Sequence, residues 1–287
     1  MPALALGLVL AAAVAHAGWN VLAKHAGGGV GFVWLYSMLG ALMWAPVALG
    51  VALIAHPTVG LAGLAFMAGS GTLHATYFVT LQRAYADGDL SVVYPLARGL
   101  GPLISTAAAI AILGERPGPL AVVGALLITA SVLTLAARGA AQHPGPEPRA
   151  GLAWAVATGV LIGAYTLWDK HAVDGLDQEP ILYLWGGNVF WALLLAPFAL
   201  RRPGELARAR RFNLRSAAGV ALLSPVAYVL VLFALKLAPV SYVAPAREVS
   251  ILFGAAMGSR LLGEGDSAWR LAAASAIVLG ILGLAVG

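Results

Sequence analysis

The chain has 287 residues, 61% of them hydrophobic and 10% charged, with a formal net charge of +5 and no cysteine. A soluble domain carries about 25% charge, so seventeen basic and twelve acidic side chains cannot coat a water-facing globule of this length, and the mean hydropathy of +0.88 agrees. Ten membrane helices of about 20 residues each leave only connections, which excludes an ATPase module, a receptor ectodomain or a DNA-binding domain. The lack of cysteine excludes a disulfide framework and thiolate chemistry.

In chain order, hydropathy separates apolar stretches at residues 3–23, 31–53, 60–84, 92–113 and 119–137. Five more follow at 151–170, 180–199, 214–236, 242–262 and 268–286. The first-half breaks are Gly27-Gly28-Gly29, His56-Pro57, Asp87-Gly88-Asp89, Glu115-Arg116-Pro117 and Gln142 to Arg149. The later ones are Asp174 to Pro180, a loop from Arg201 to Arg215, Ala238-Pro239 and Gly263 to Asp266. A lipid-exposed span must satisfy its own backbone hydrogen bonds, and the alternation of a barrel strand is missing, so each stretch is predicted to be a transmembrane helix. Ala15-His16-Ala17 resembles a signal-peptidase site, but no Lys or Arg precedes it. The first stretch therefore reads as a retained helix. The basic excess then lies along the lipid bilayer, and nucleic acid is not expected as a partner.

The chain also repeats itself. Lys24-His25-Ala26 recurs as Lys170-His171-Ala172, Trp34 with Ala45-Pro46 as Trp185 with Ala196-Pro197, and Tyr77 as Tyr228. Ser91, Pro95 and Arg98 recur as Ser241, Pro245 and Arg247, and Leu113-Gly114-Glu115 as Leu262-Gly263-Glu264. The offsets drift between 146 and 151, as loop-length changes would make them. Two units of five helices follow, residues 1–140 and 150–287, joined by a stretch holding Pro144, Pro146 and Pro148. Five is odd, so the second unit enters the membrane from the opposite side. Inverted repeats of this kind expose a central site alternately to each face, which points to a secondary transporter.

Twelve Lys and Arg fall in the first, third, fifth, seventh and ninth connections and three in the others. The positive-inside rule then puts the Arg201–Arg215 loop in the cytoplasm and both termini outside.

Within the spans, charge is scarce and therefore informative. Arg98, Arg247 and Glu248 lie well inside segments. The arginines suit a substrate carboxylate or phosphonate through paired N–H donors; alternatively they snorkel to the interface or pair with Glu248. Glu248 either neutralises an arginine or carries a coupling proton. His16, Asn20 and Lys24 form one helical stripe, and Ser70, His74 and Tyr77 another. The two histidines have no third ligand at metal-site spacing. Tyr94, Tyr165, Trp168, Tyr228 and Trp19 supply aromatic walls for a cavity, or else belong to the interfacial belt. Pro95, Pro102, Pro225 and Pro245 are predicted to kink their helices. Gly159 with Gly163 and Gly254 with Gly258 predict close helix packing. Gly27 to Gly31 lacks a following Lys-Ser/Thr, so it reads as a turn and not as a phosphate cradle.

Three stretches carry a resemblance to a known family: His16-Ala17-Gly18-Trp19-Asn20, the run from Ala84 to Arg98, and Leu113-Gly114-Glu115 with its repeat at Leu262. In these the chain resembles the EamA-type branch of the drug/metabolite transporter superfamily, over its whole length as two units. The resemblance implies an all-α integral membrane protein, with ten helices as two inverted five-helix repeats around a central cavity. That cavity is lined mainly by the first, third, fourth, sixth, eighth and ninth helices. It also implies export of small polar metabolites, often amino acids, from a bacterial inner membrane, with both termini cytoplasmic, against the charge count.

The expected function is an alternating-access exporter of an amino acid or related organic anion. Arg98 or Arg247 binds the anionic end, with Glu248 beside them, while His16, Asn20, His74, Tyr77, Tyr94, Tyr165, Trp168 and Tyr228 shape the cavity. No nucleotide site exists, so a proton or substrate gradient is expected to drive it, without a cofactor; the sequence leaves the oligomeric state open, a monomer included. The alternatives are an exporter of drugs or organic cations, an intramembrane enzyme, or a membrane protein that transports nothing. The enzyme lacks the clustered Asp, His or Ser its chemistry requires.

Overall fold

The computed structural model describes residues 1–26, 29–87, 90–142, 149–250 and 267–287. The first half contains α1 (Ala3–His25), α2 (Val30–Ala55), α3 (Leu61–Asp87), α4 (Leu90–Ile112) and α5 (Pro119–Gln142). The second half contains α6 (Arg149–Lys170), α7 (Pro180–Leu200), α8 (Pro203–Phe212), α9 (Leu214–Leu237), α10 (Val240–Ala246) and α11 (Ser267–Val286). Every apolar stretch meets a helix, the ninth being described only as far as Ser250. Among the described residues, five helices are long and apolar enough to cross a bilayer: Ala3–Ala23, Val30–Ala55, Gly151–Gly175, Pro180–Leu200 and Leu214–Leu237. Leu42, Leu49 and Leu53 on α2 stay exposed, as do Leu193, Leu194 and Phe198 on α7. Such faces suit hydrocarbon, and in water they would associate.

The helix ends follow local chemistry. His56 closes α2 in the left-handed conformation (φ 44°) just before Pro57. The Glu179 carboxylate accepts the Leu182 N–H (2.8 Å) and Pro180 opens α7, a position where its missing N–H costs nothing. Pro245 lies inside α10, which tightens into a 3₁₀ turn at Arg247–Val249.

One expectation is corrected. The Arg201–Arg215 stretch is not a plain loop, for it contains the ten-residue helix α8. Pro203 stands at its start, Glu205 in its first turn, and Arg210 and Arg211 in its last, the charge order that suits a helix dipole. Ala209 and Leu206 pack with Phe32, Leu35 and Val220, which holds the helix in place.

The chain divides into two compact units, each drawing residues from both halves of the sequence. One comprises Ala11–Ala75 and Trp168–Lys236. Within it, Trp34 Nε1 donates to the Ala192 carbonyl (3.1 Å), Asn188 Nδ2 to that of Ser37 (3.1 Å) and Trp185 Nε1 to that of Ala41 (2.9 Å). Residues 34, 37 and 41 lie 151 positions before 185, 188 and 192. The pairing is therefore reciprocal: 34 meets the counterpart of 41, 41 meets the counterpart of 34, and 37 meets its own. Partners fall from 192 to 185 as α2 climbs from 34 to 41, so α2 and α7 pack antiparallel about a local two-fold.

The other unit comprises Met1–Leu10, Thr76–Leu167 and Leu237–Gly287. There α5 and α11 meet at Gly124, Gly280 and Gly283, where an added Cβ would strike the opposite backbone. Gly159 and Gly163 of α6 likewise let Leu100 and Ile104 of α4 approach, the close packing their spacing predicts. Gly254 and Gly258 lie outside the described residues.

Candidate functional site

Two polar clusters stand out, one in each unit. In the unit holding α4, the Arg98 guanidinium lies 3.3 Å from Glu248 Oε1 and donates to Ser250 Oγ at 3.4 Å. Arg98 and Glu248 are 7% and 4% exposed, so the pair is shielded from water and its attraction is not screened. Among the described residues Glu248 Oε2 is buried without a hydrogen-bond partner. Arg247, the sequence counterpart of Arg98, is half-buried at the start of the 3₁₀ turn. Arg98 is thus in the internal pairing that the sequence offered as one alternative. In the same unit Tyr77 meets buried Tyr165 edge-on, with ring centroids 5.8 Å apart. The Thr158 hydroxyl donates to Thr80 Oγ1 at 3.2 Å. Glu115 of the Leu-Gly-Glu motif accepts the N–H groups of Val240 (2.7 Å) and Ser241 (2.9 Å), satisfying donors that the first turn of α10 would leave orphaned.

The second cluster lies in the other unit, where the Leu61–Ala75 part of α3, the Trp168–Lys170 end of α6, α7 and α9 converge. Asp169, wholly buried, accepts hydrogen bonds from Tyr183 (2.6 Å, to Oδ1) and from Tyr228 (to Oδ2). The Tyr183 hydroxyl also lies 3.3 Å from the Phe66 carbonyl oxygen, which accepts the Trp168 indole N–H at 2.9 Å. The Trp168 ring stacks on Phe66 at 4.3 Å, and Gly69 leaves the room it occupies. His74 sits edge-on to Tyr228 (5.3 Å), with Nδ1 donating to the Ser70 carbonyl (2.9 Å). Trp191 lies 6.3 Å from the His74 ring, its indole N–H buried and without a partner among the described residues. Beyond Asp169, α6 widens into a π-helical turn at His171–Gly175, a backbone defect often found beside functional groups.

Other candidates are placed more locally. His16 and Asn20 stay on α1, where Asn20 Nδ2 donates to the His16 carbonyl (2.8 Å) and the His16 ring meets Trp19 at 4.8 Å. The side chain of Tyr94 lies outside the described residues. Ser70 and His74 enter the Asp169 cluster, whereas Tyr77, from the same predicted stripe, belongs to the Arg98 unit.

Sequence reasoning missed Asp169 and Tyr183. Asp169 stands one residue from the end of its apolar stretch and next to Lys170, so it read as an interfacial charge. Lys170, however, turns away, donating to the Leu235 carbonyl (2.6 Å) and pairing with Asp174 (3.0 Å). The available signal was Asp169 itself, a carboxylate where the first half has Ala23 beside Lys24.

Long apolar helices with exposed Leu and Phe, and three charges buried among the described residues, define a multi-pass integral membrane protein. A solved crystal structure aligns with 100% of this chain and 98% of its own, at a TM-score of 0.77 and 16% identity, a likeness of fold alone. No curated protein matches the sequence. Residues 149–286 match the EamA-like transporter family. For residues 149–286 that match implies a membrane transporter.

Proposed function

We propose that the chain is an alternating-access carrier exporting an amino acid or related organic anion across a bacterial inner membrane, driven by a proton or substrate gradient. Ten spans form two inverted units, residues 1–140 and 150–287, with α8 and its arginines on the cytoplasmic surface. The reciprocal bonding of α2 and α7 carries this reading. Repeat counterparts that meet antiparallel about a two-fold belong to halves of opposite orientation, and such halves exchange conformations to open one site to each side in turn. Arg98 provides the anion site. Its guanidinium already holds one carboxylate, that of Glu248, and a substrate carboxylate competes for the same donors. Arg247 provides a second cation on the adjoining turn. Aromatic groups such as Tyr77 and Tyr165 supply walls for the apolar part of the solute.

The test is counterflow into liposomes containing the purified chain, with labelled amino acids, phosphonates, sugars and organic cations. Amino acids or organic anions are expected to exchange faster than into empty vesicles, and Arg98→Gln is expected to abolish that exchange. Exchange restricted to organic cations, or anion exchange that survives both Arg98→Gln and Arg247→Gln, overturns the assignment.

A further inference from the structure

Asp169 poses a physical problem that Glu248 does not. An ionised carboxylate removed from water needs a cation, a metal or a proton. Among the described residues no ion pair reaches Asp169. The titratable groups packed around it are phenols, Tyr183 from α7 and Tyr228 from α9, with His74 of α3 behind Tyr228. On its own helix Lys170 is committed to Leu235 and Asp174, and the His171 ring lies against Phe66.

The hydrogen bonding accommodates two states. With Asp169 ionised, both phenols donate to it. With a proton on Oδ1, the new O–H donates to the Tyr183 oxygen, and the Tyr183 hydrogen turns to the Phe66 carbonyl oxygen, already 3.3 Å away. Tyr228 goes on donating to Oδ2. Neither state strands a polar group, which is the condition for a buried site to change charge without a large penalty.

We propose that Asp169 is the proton-carrying group of the transport cycle, with Tyr183 and the Phe66 carbonyl as the device that tolerates both of its charge states. One proton from water joins Oδ1 on loading and returns to water on release, and no other bond is made or broken. Half-buried Tyr228 is the point of access, because its displacement from Oδ2 opens the carboxyl to water. This inference rests on the gradient-driven carrier reading above and adds the identity of the coupling ion and its seat.

The experiment uses the full chain in lipid vesicles. Infrared difference spectra across a pH step read the carboxylic C=O stretch directly. A band that shifts in heavy water is expected in the wild type, absent in Asp169→Asn and displaced in Tyr183→Phe, which keeps the carboxylate should the Asn variant fail to fold. Alongside it, Asp169→Asn is expected to retain counterflow of the labelled amino acid or organic anion but to lose accumulation driven by a pH gradient. Identical spectra for wild type and Asp169→Asn overturn the proposal, as does undiminished pH-driven accumulation in that variant or accumulation driven by sodium instead of protons. If the wild type shows no counterflow with any solute, the carrier reading fails while the infrared measurement still decides Asp169.

Discussion

Glu248 and Asp169 are both buried carboxylates, yet Glu248 faces a guanidinium and Asp169 faces two phenols. The Arg98–Glu248 pair is neutral as it stands, and either member loses its ion-pair partner once the other is taken away. Among the described residues the Asp169 cluster has no ion-paired cation, and it keeps its partners when a proton arrives. An ion pair thus suits exchange of one anion for another, whereas phenols around an acid suit exchange of a proton. Glu115 and Asp177 extend the comparison to backbone N–H groups and to a half-buried lysine.

The sharpest way to break this contrast is to remove one side of the ion pair. Arg98→Met removes the guanidinium paired with buried Glu248, and should cost about 3–5 kcal/mol in equilibrium unfolding from detergent micelles. The double variant Arg98→Met/Glu248→Met should recover most of the loss. If the double variant is as unstable as the single, the pair is not the source of the effect.

Removing a phenol should do less. Tyr183→Phe deletes one bond to a carboxylate and should cost about 1.5–3 kcal/mol, with half-buried Tyr228→Phe near the lower limit, read by the same unfolding assay. A Tyr183→Phe loss as large as that of Arg98→Met would erase the distinction between the two clusters. Smaller again is Glu115→Ala, which strips the cap from α10 and should cost about 0.5–2 kcal/mol. Hydrogen exchange of the Val240 and Ser241 amides should speed up with it, and unchanged exchange would remove Glu115 from the comparison.

The smallest effect belongs to Asp177, in the connection between α6 and α7. Its hydrogen bond to Lys236 (2.6 Å), and then the charge of that lysine, hold its carboxyl below the ordinary 3.8. A depressed value means the contribution to stability is complete above about 3.8 and is lost as pH falls through the lower folded value. The difference in thermal midpoint between wild type and Asp177→Asn should therefore be small at neutral pH and vanish in acid. It should also shrink with added salt, because both side chains reach solvent. A difference that grows in acid would reverse the sign argued here.

Much of the fold was legible in the sequence because membrane helices declare themselves by length and apolarity. The helix in the Arg201–Arg215 stretch was hidden, since its arginines outweighed the cap and dipole signals in a reading based on hydropathy. Arg98 and Glu248 stood out because a charge deep in an apolar run is conspicuous. Asp169 escaped the same test because it lies at the end of its run, where burial depends on what packs over it. Tyr183 had no signal at all, since only its approach to Asp169 distinguishes it from an interfacial tyrosine.

Composition by itself marked this chain for a bilayer, and alignment of its two halves brought out an ordered series of recurring residues. Both are properties of residues counted along a line. Tertiary structure decided which charges are neutralised by other charges and which are not, because only packing brings Glu248 against Arg98 and seals Asp169 between Tyr183 and Tyr228. It also turned a similarity between Trp34 and Trp185 into reciprocal hydrogen bonds across two antiparallel helices. Distance in space, which sets the strength of every electrostatic and hydrogen-bonding interaction, is not written in the order of the residues.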